Sequence, residues 1–196
     1  DDTLGAPTTR WTAAGEDAGQ SWSRVEVTSF NRAWFGLDFA AVSDTTLTSP
    51  ALQVGSAPFV VEFDHKFGFE TNGGVAPFFD GGVIEISSDG GTTWVDVSTL
   101  VTPGYGGTIF VGSGNPLGGR QAFVGRNASY PARDHLTLNF GTAFTGQTVR
   151  IRFRIGTDEA AADYGWEIDN IAFQGITNKP FAQFIADLAK CRGIPK

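Results

Sequence analysis

Cysteine is all but missing from these 196 residues, and the lone Cys191 leaves no partner for an internal disulfide. Basic charge is also short: 14 Lys and Arg face 21 Asp and Glu, for a net charge of −7. That balance argues against nucleic acid or an anionic membrane surface as partner, since either wants a basic face. No apolar run approaches the ~20 residues that a membrane-spanning helix needs, so no membrane insertion is expected. Hydrolase and zinc signals fail as well. There is no Gly-x-Ser-x-Gly elbow, and Gly112-Ser113-Gly114 reads as a flexible loop. His65 and His135 are the only histidines, which leaves no HExxH and no zinc-ligand spacing. The chain itself is therefore read as non-catalytic.

Aromatic residues and glycine are plentiful, with 17 Phe, 5 Trp and 26 Gly, enough for one packed core in a glycine-punctuated β fold. The run Ser87-Ser-Asp-Gly-Gly-Thr-Thr-Trp94 has the spacing S-x-D-x-G-x-T-W of an Asp-box, a tight β-hairpin. Ser87, Asp89, Gly91, Thr93 and Trp94 carry that motif. Asp89 accepts from the turn's backbone, the glycines supply positive φ, and the indole covers the turn. The motif specifies a shape and says little about chemistry.

Strand signals run to about residue 175. Phe59, Val61, Phe63, His65 and Phe67 alternate with polar neighbours, which places His65 on the core face. Val149, Ile151, Phe153 and Ile155 alternate with Arg150, Arg152 and Arg154. Residues 166–173 are expected to return as the hairpin partner of that strand, setting Arg154 against Glu167 and Arg152 against Asp169. Ile171 and Phe173 share the parity of Glu167 and Asp169, so the apolar face changes parity and a bulge is expected near Asp169-Asn170. Residues 101–120, with nine Gly and Pro, read as a loop. Uneven loops and the absence of a repeat favour an all-β jelly-roll sandwich over a propeller. The expected organisation is an N-terminal extension or first strand over 1–20, the sandwich over 21–176, and a short amphipathic helix and tail over 177–196. Phe181, Phe184, Ile185 and Leu188 carry the helical spacing, with Asn178 as cap. The start at Asp1 without Met suggests a processed segment.

Candidate chemistry is acidic. Glu70, Asp80, Asp158 and Asp163 follow or precede strands whose loops share one end of a sandwich if residues 59–67 and 149–155 run the same way. Converging loop carboxylates suit calcium; ordinary solvated loop acids are the competing reading. Asp169 is either a buried metal ligand or half of a cross-strand ion pair. Glu62, Asp64 and Glu85 are read as one solvated stripe facing the three arginines. Trp34, Trp94, Tyr105, Tyr130 and Tyr164 offer flat rings for a glycan, if exposed. Asn127-Ala128-Ser129 matches a glycosylation sequon.

Several further series appear in order: Leu47-x-Ser49-Pro50-x-Leu52, Phe63-x-His65-x-x-x-x-Glu70 and Asp80-Gly81-Gly82-x-x-Glu85-x-Ser87. They are followed by Gly118-Gly119-Arg120-x-Ala122-Phe123-x-Gly125, Arg152-Phe153-Arg154-x-x-x-Asp158 and Gly165-Trp166-x-x-Asp169-Asn170-Ile171. Together they resemble the jelly-roll module C-terminal to the catalytic domain in secreted bacterial metalloproteases, of the immune-inhibitor-A-like or fungalysin-like kind known from myxobacteria. Gly175-Ile176-Thr177-Asn178-x-Pro180-Phe181 is similar to the junction before a surface-anchoring tail in such proteins. Calcium-binding jelly rolls with an Asp-box also occur in reelin repeats. The resemblance implies a calcium-binding accessory module, with Glu70, Asp80, Asp158 and Asp169 as metal candidates. It also implies a secreted or cell-surface bacterial protein with an upstream catalytic domain or surface partner. The second reading is a carbohydrate-binding or adhesion module using Trp34, Tyr105 and Tyr164; the third is a stand-alone hydrolase.

Overall fold

A computed structural model describes residues 10–15, 22–28 and 31–181 of the chain. Fifteen strands account for nearly all its regular structure. They begin with β1 (Thr12–Ala14), β2 (Trp22–Thr28), β3 (Asn31–Gly36), β4 (Ser43–Thr48) and β5 (Leu52–Gln53). The middle of the chain supplies β6 (Phe59–Gly68), β7 (Thr71–Asn72), β8 (Val75–Phe78), β9 (Gly81–Ser87) and β10 (Val95–Asp96). The last are β11 (Gly107–Thr108), β12 (Gln121–Ala122), β13 (Asp134–Gly141), β14 (Thr148–Thr157) and β15 (Gly165–Gln174). One sheet runs β1-β4-β14-β9-β10, with β5 on the far end of β14; the other runs β13-β6-β15-β3-β2. All pairings within both sheets are antiparallel.

From β3 onward the strands of six or more residues, β3, β4, β6, β9, β13, β14 and β15, alternate between the two sheets in chain order. That alternation makes the fold an all-β jelly-roll sandwich. It also removes the expected hairpin between β14 and β15. β14 pairs with β4 and β9, while β15 pairs with β6 and β3, so residues 158–164 cross from one sheet to the other. The predicted facing of Arg154 with Glu167 and Arg152 with Asp169 is therefore corrected. Glu85 does lie opposite Arg152, but Glu62 and Asp64 belong to β6 in the other sheet.

Alternation decides what is buried. Phe59, Val61, Phe63, His65 and Phe67 of β6 meet Leu47, Ile84, Ile151, Phe153 and Ile155 of the facing sheet. Trp166, fully buried, has its ring centroid 5.3 Å from Phe123, 5.6 Å from Phe153 and 6.2 Å from Trp22. A Cβ at Gly82 would fall 2.5 Å from that indole, so the close approach of the two sheets there requires glycine. His65 is a core histidine: Trp166 Nε1 donates to its Nδ1 at 3.4 Å. Burial pushes its pKa down to about 4, so the ring stays neutral at physiological pH.

The bulge expected at Asp169-Asn170 is present. Asp169 pairs with Asp64 and Ala172 with Glu62, and Asn170 takes a φ of 52°. Residues 101–120 hold little regular structure, as composition suggests, but they do not stand free in solvent. Ile109 and Leu117 pack with Val83, Ala122 and Val124 into a second cluster that covers the outer face of β9. This covering is why every residue of β9 is buried. Beyond β15, Thr177 and Asn178 are tied to Gln53 and Ala51, and Phe181 stacks on Phe173. Phe184, Ile185, Leu188 and Cys191 of the expected tail lie outside the described residues. Among the described residues no helix is long and apolar enough to cross a membrane.

Candidate functional site

Four loops meet at one end of the sandwich. Asp38 follows β3, Glu70 follows β6, Asp80 precedes β9, and Asp158 follows β14. Glu70, Asp80 and Asp158 each bring a carboxylate oxygen within 4.8 Å of the other two. The loops of β6 and β14 thus share one end of the fold. Asp38 completes the group. Its Oδ2 accepts the amides of Glu70 (3.1 Å) and Asp163 (2.8 Å), and its carboxyl lies close enough to Asp80 for each charge to oppose the other.

Burial sets the electrostatics. Asp80 is 0% exposed, Asp158 4% and Asp38 5%. Among the described residues none of the four acids has a Lys, Arg or His in an ion pair. Burial, followed by the charge of Asp38, drives the Asp80 pKa far above the ordinary carboxylate value, and burial raises that of Asp38. Glu70 is raised as well, by burial and then by the charge of Asp158. Three buried oxygens have no hydrogen-bond partner: Asp38 Oδ1, Glu70 Oε2 and Asp80 Oδ2. An orphaned buried acceptor costs about 1–3 kcal/mol, more when charged. Three such oxygens in one cluster make its fully ionised form costly.

The other carboxylate oxygens of Asp38 and Asp80, and one of Asp158, hold the loops. Asp80 Oδ1 accepts the Asp158 amide at 2.7 Å, and Asp158 Oδ1 accepts the Ala160 amide at 2.8 Å. Asn115 braces the site from behind. Its Nδ2 donates to Phe79 O (2.8 Å) and Gly156 O (2.7 Å), while its Oδ1 accepts Leu117 N (2.7 Å). The three aspartates are thereby fixed on their backbone side, leaving unpartnered oxygens on Asp38 and Asp80 where the carboxylates converge. Sequence reading missed Asp38 and Asn115. Asp38 sits in an unpatterned loop, though its place directly after a Trp34–Gly36 strand end was an available signal.

Asp163 and Asp169 are not in this cluster. Asp163 pairs with Arg126 at 3.1 Å. Asp169 Oδ2 is shared between Arg133 Nη1 (2.9 Å) and Asn31 Nδ2 (2.6 Å), and its Oδ1 accepts the Asn170 amide (2.8 Å). Both oxygens are satisfied and a guanidinium already neutralises the charge, so Asp169 is the ion-pair residue of the two readings, with Arg133 as partner.

The aromatic residues expected to form a platform are also placed otherwise. Trp34 is 7% exposed and belongs to the core. Tyr105 is half-buried, and its hydroxyl accepts from Ile84 N at 2.9 Å. Tyr164 donates to Glu167 Oε2 at 2.7 Å, with Lys66 Nζ 4.4 Å above its ring. Asn127 of the sequon is buried, its amide bonded to Phe67 N, Ala132 O and Asp134 Oδ2. The Ser87–Trp94 segment closes as a hairpin turn. Asp89 accepts the Thr93 amide at 2.9 Å and its hydroxyl at 2.6 Å, and Trp94 Nε1 donates to Gly91 O at 3.0 Å. Arg152 lies 4.2 Å over the Trp94 ring, so that indole is covered too.

No protein family's profile matches the chain, and no curated protein matches it in sequence. Solved structures resemble it in outline. One is TmCBM61 in complex with β-1,4-galactotriose (11% identity, 84% of this chain and 88% of that one, TM-score 0.46). Another is the K1 cleaved adhesin domain of Lys-gingipain from Porphyromonas gingivalis W83 (14% identity, 89% and 94%, TM-score 0.47). A third is CBM28, a module specific for non-crystalline cellulose (12% identity, 85% and 88%, TM-score 0.45). At such identities no residue of this chain takes a role from them.

Proposed function

We propose that this chain is a non-catalytic, calcium-braced β-sandwich module of a secreted or surface-attached protein, serving attachment or positioning. The observation that carries the reading is the trio of unpartnered buried oxygens on Asp38, Glu70 and Asp80, beside Asp158 and without a cationic side chain. An all-oxygen donor set drawn from loops suits a hard cation, and irregular geometry suits calcium over the strictly octahedral magnesium. Asp38, Glu70, Asp80 and Asp158 would hold the ion; Asp169 would not. The cation would offset the mutual repulsion of the four acids and lock together the loops that follow β3, β6 and β14. An upstream peptidase domain, implied by the sequence resemblance, belongs to the proposal as the partner such a module would position.

The test is a thermal melt of metal-stripped protein. Calcium should raise the midpoint, by about 2.7 kcal/mol of stabilisation at a hundredfold excess over Kd, and magnesium should do so far less. Identical melts with and without calcium would refute the reading.

A further inference from the structure

Beside the acidic cluster lies an open cleft of about 680 Å³, within the 300–1,000 Å³ span of small-ligand sites. Thr71, Gly73 and Gly74 of the β7–β8 hairpin line it together with residues 161–163 of the crossing and with Gly125 and Arg126. We infer that this cleft is a binding site for a hydroxyl-rich oligosaccharide, with the Arg126–Asp163 pair as its recognition element.

The lining argues for that chemistry. Gly73, Gly74, Gly125 and Ala162 present backbone and little side chain, and the one large apolar residue, Phe69, is 1% exposed. A peptide ligand gains its affinity from aromatic or aliphatic anchors set in pockets, and this cleft has no such pocket. A polyanion would face Glu70, Asp163 and the acidic cluster behind them. A sugar diol, by contrast, both donates and accepts. Arg126 Nη2 lies 3.1 Å from Asp163 Oδ2, and the two side chains remain 57% and 31% exposed. They therefore set donors and an acceptor side by side in reach of solvent, the guanidinium having further N–H groups free to bond.

The cleft is also mechanically tied to the acidic cluster. The amides of Asp158, Ala160 and Asp163 donate to Asp80, Asp158 and Asp38. The segment that leads into the 161–163 wall of the cleft is thus held by three of the four carboxylates, and Glu70 belongs to both the cluster and the cleft. A cation that fixes those carboxylates fixes the wall, so sugar and cation should strengthen each other's binding by the same factor. This coupling rests on the calcium reading; the cleft itself does not.

Saccharide-array retention followed by titration would decide it, on wild type, Arg126→Ala and Ala162→Trp, each with calcium and after stripping. Calcium-loaded wild type should retain a set of neutral oligosaccharides, and both variants should bind them at least ten-fold more weakly while keeping the calcium-induced rise in melting temperature. A calcium-loaded wild type that retains no saccharide overturns the cleft, as do variants that bind as well as wild type. Peptides held in the cleft in place of saccharides overturn the sugar assignment. Sugar binding lost in both variants, in a chain whose melt ignores calcium, upholds the cleft and overturns the calcium reading.

Discussion

Asp80→Asn should abolish the calcium response of the melt without destabilising the metal-stripped protein. Asparagine keeps the Oδ1 that accepts the Asp158 amide, so the loop support survives. What it removes is a fully buried carboxyl with an orphaned oxygen, which the fold holds against ionisation beside Asp38. In the stripped protein that removal is neutral or stabilising, since the fold otherwise bears the cost of holding this carboxyl protonated well above its ordinary pKa. In the calcium-loaded protein it deletes a central ligand, so most of the metal-dependent stabilisation disappears. If Asp80 were only a loop-holding acceptor, the variant would melt like wild type in both conditions.

The same residue fixes the sign of the pH dependence. A carboxyl whose folded pKa is raised contributes stability that is fully present below its unfolded value near 3.8 and is lost as pH climbs through the folded value. Metal-stripped wild type should therefore weaken from mildly acid toward alkaline pH, by up to about 1.4 kcal/mol per pH unit for each proton released. His65 works the other way, but only below its unfolded value near 6.5. Melts above pH 7 exclude His65 and leave the raised carboxyls of the cluster, of which Asp80 is raised furthest, so Asp80→Asn should flatten most of the profile there.

The largest purely structural loss is expected at Glu85. This residue is 3% exposed and serves three guanidiniums at once: Arg120 (2.7 Å), Arg152 (2.5 Å) and Arg154 (3.4 Å). Arg120 and Arg154 keep Asp96 and Asp44 when it is gone. Arg152 keeps only the face of Trp94. Breaking a buried pair by removing one partner costs about 3–5 kcal/mol. The arginines are 18–27% exposed, which places Glu85→Ala near the lower end, about 3 kcal/mol. For a chain of this size that is a fall in melting temperature of roughly 6–12 °C. Glu85→Leu combined with Arg152→Met should recover much of it, because the pair is replaced by apolar packing and no charge is stranded. A loss under ~1 kcal/mol in the single variant would show the network to be solvent-screened.

Local pattern was legible and long-range pairing was not. Alternation from Phe59 to Phe67 and from Val149 to Ile155 named the core faces of β6 and β14, because burial imposes a period of two on each strand separately. The parity change at Ile171 and Phe173 located the β15 bulge for the same reason. The partner of β14 was misread, since a hairpin across residues 157–165 satisfies that alternation equally well. Only the demand that two faces be covered at once sends β15 to the opposite sheet. Glu70, Asp80 and Asp158 were found as loop acids at strand ends. Asp169 was a false member of the group: nothing near it in sequence announces Arg133, which arrives from the start of β13. Asp38 was missed because what marks it is the company it keeps across 32 and 125 residues of chain.

The central claim is most directly tested by counting calcium bound per folded chain, by equilibrium dialysis of metal-stripped protein followed by elemental analysis. At least one calcium per wild-type chain, retained against a magnesium excess and absent from Asp80→Asn, is the predicted result. Wild-type protein that emerges with no calcium, or with as much as Asp80→Asn, would contradict the account.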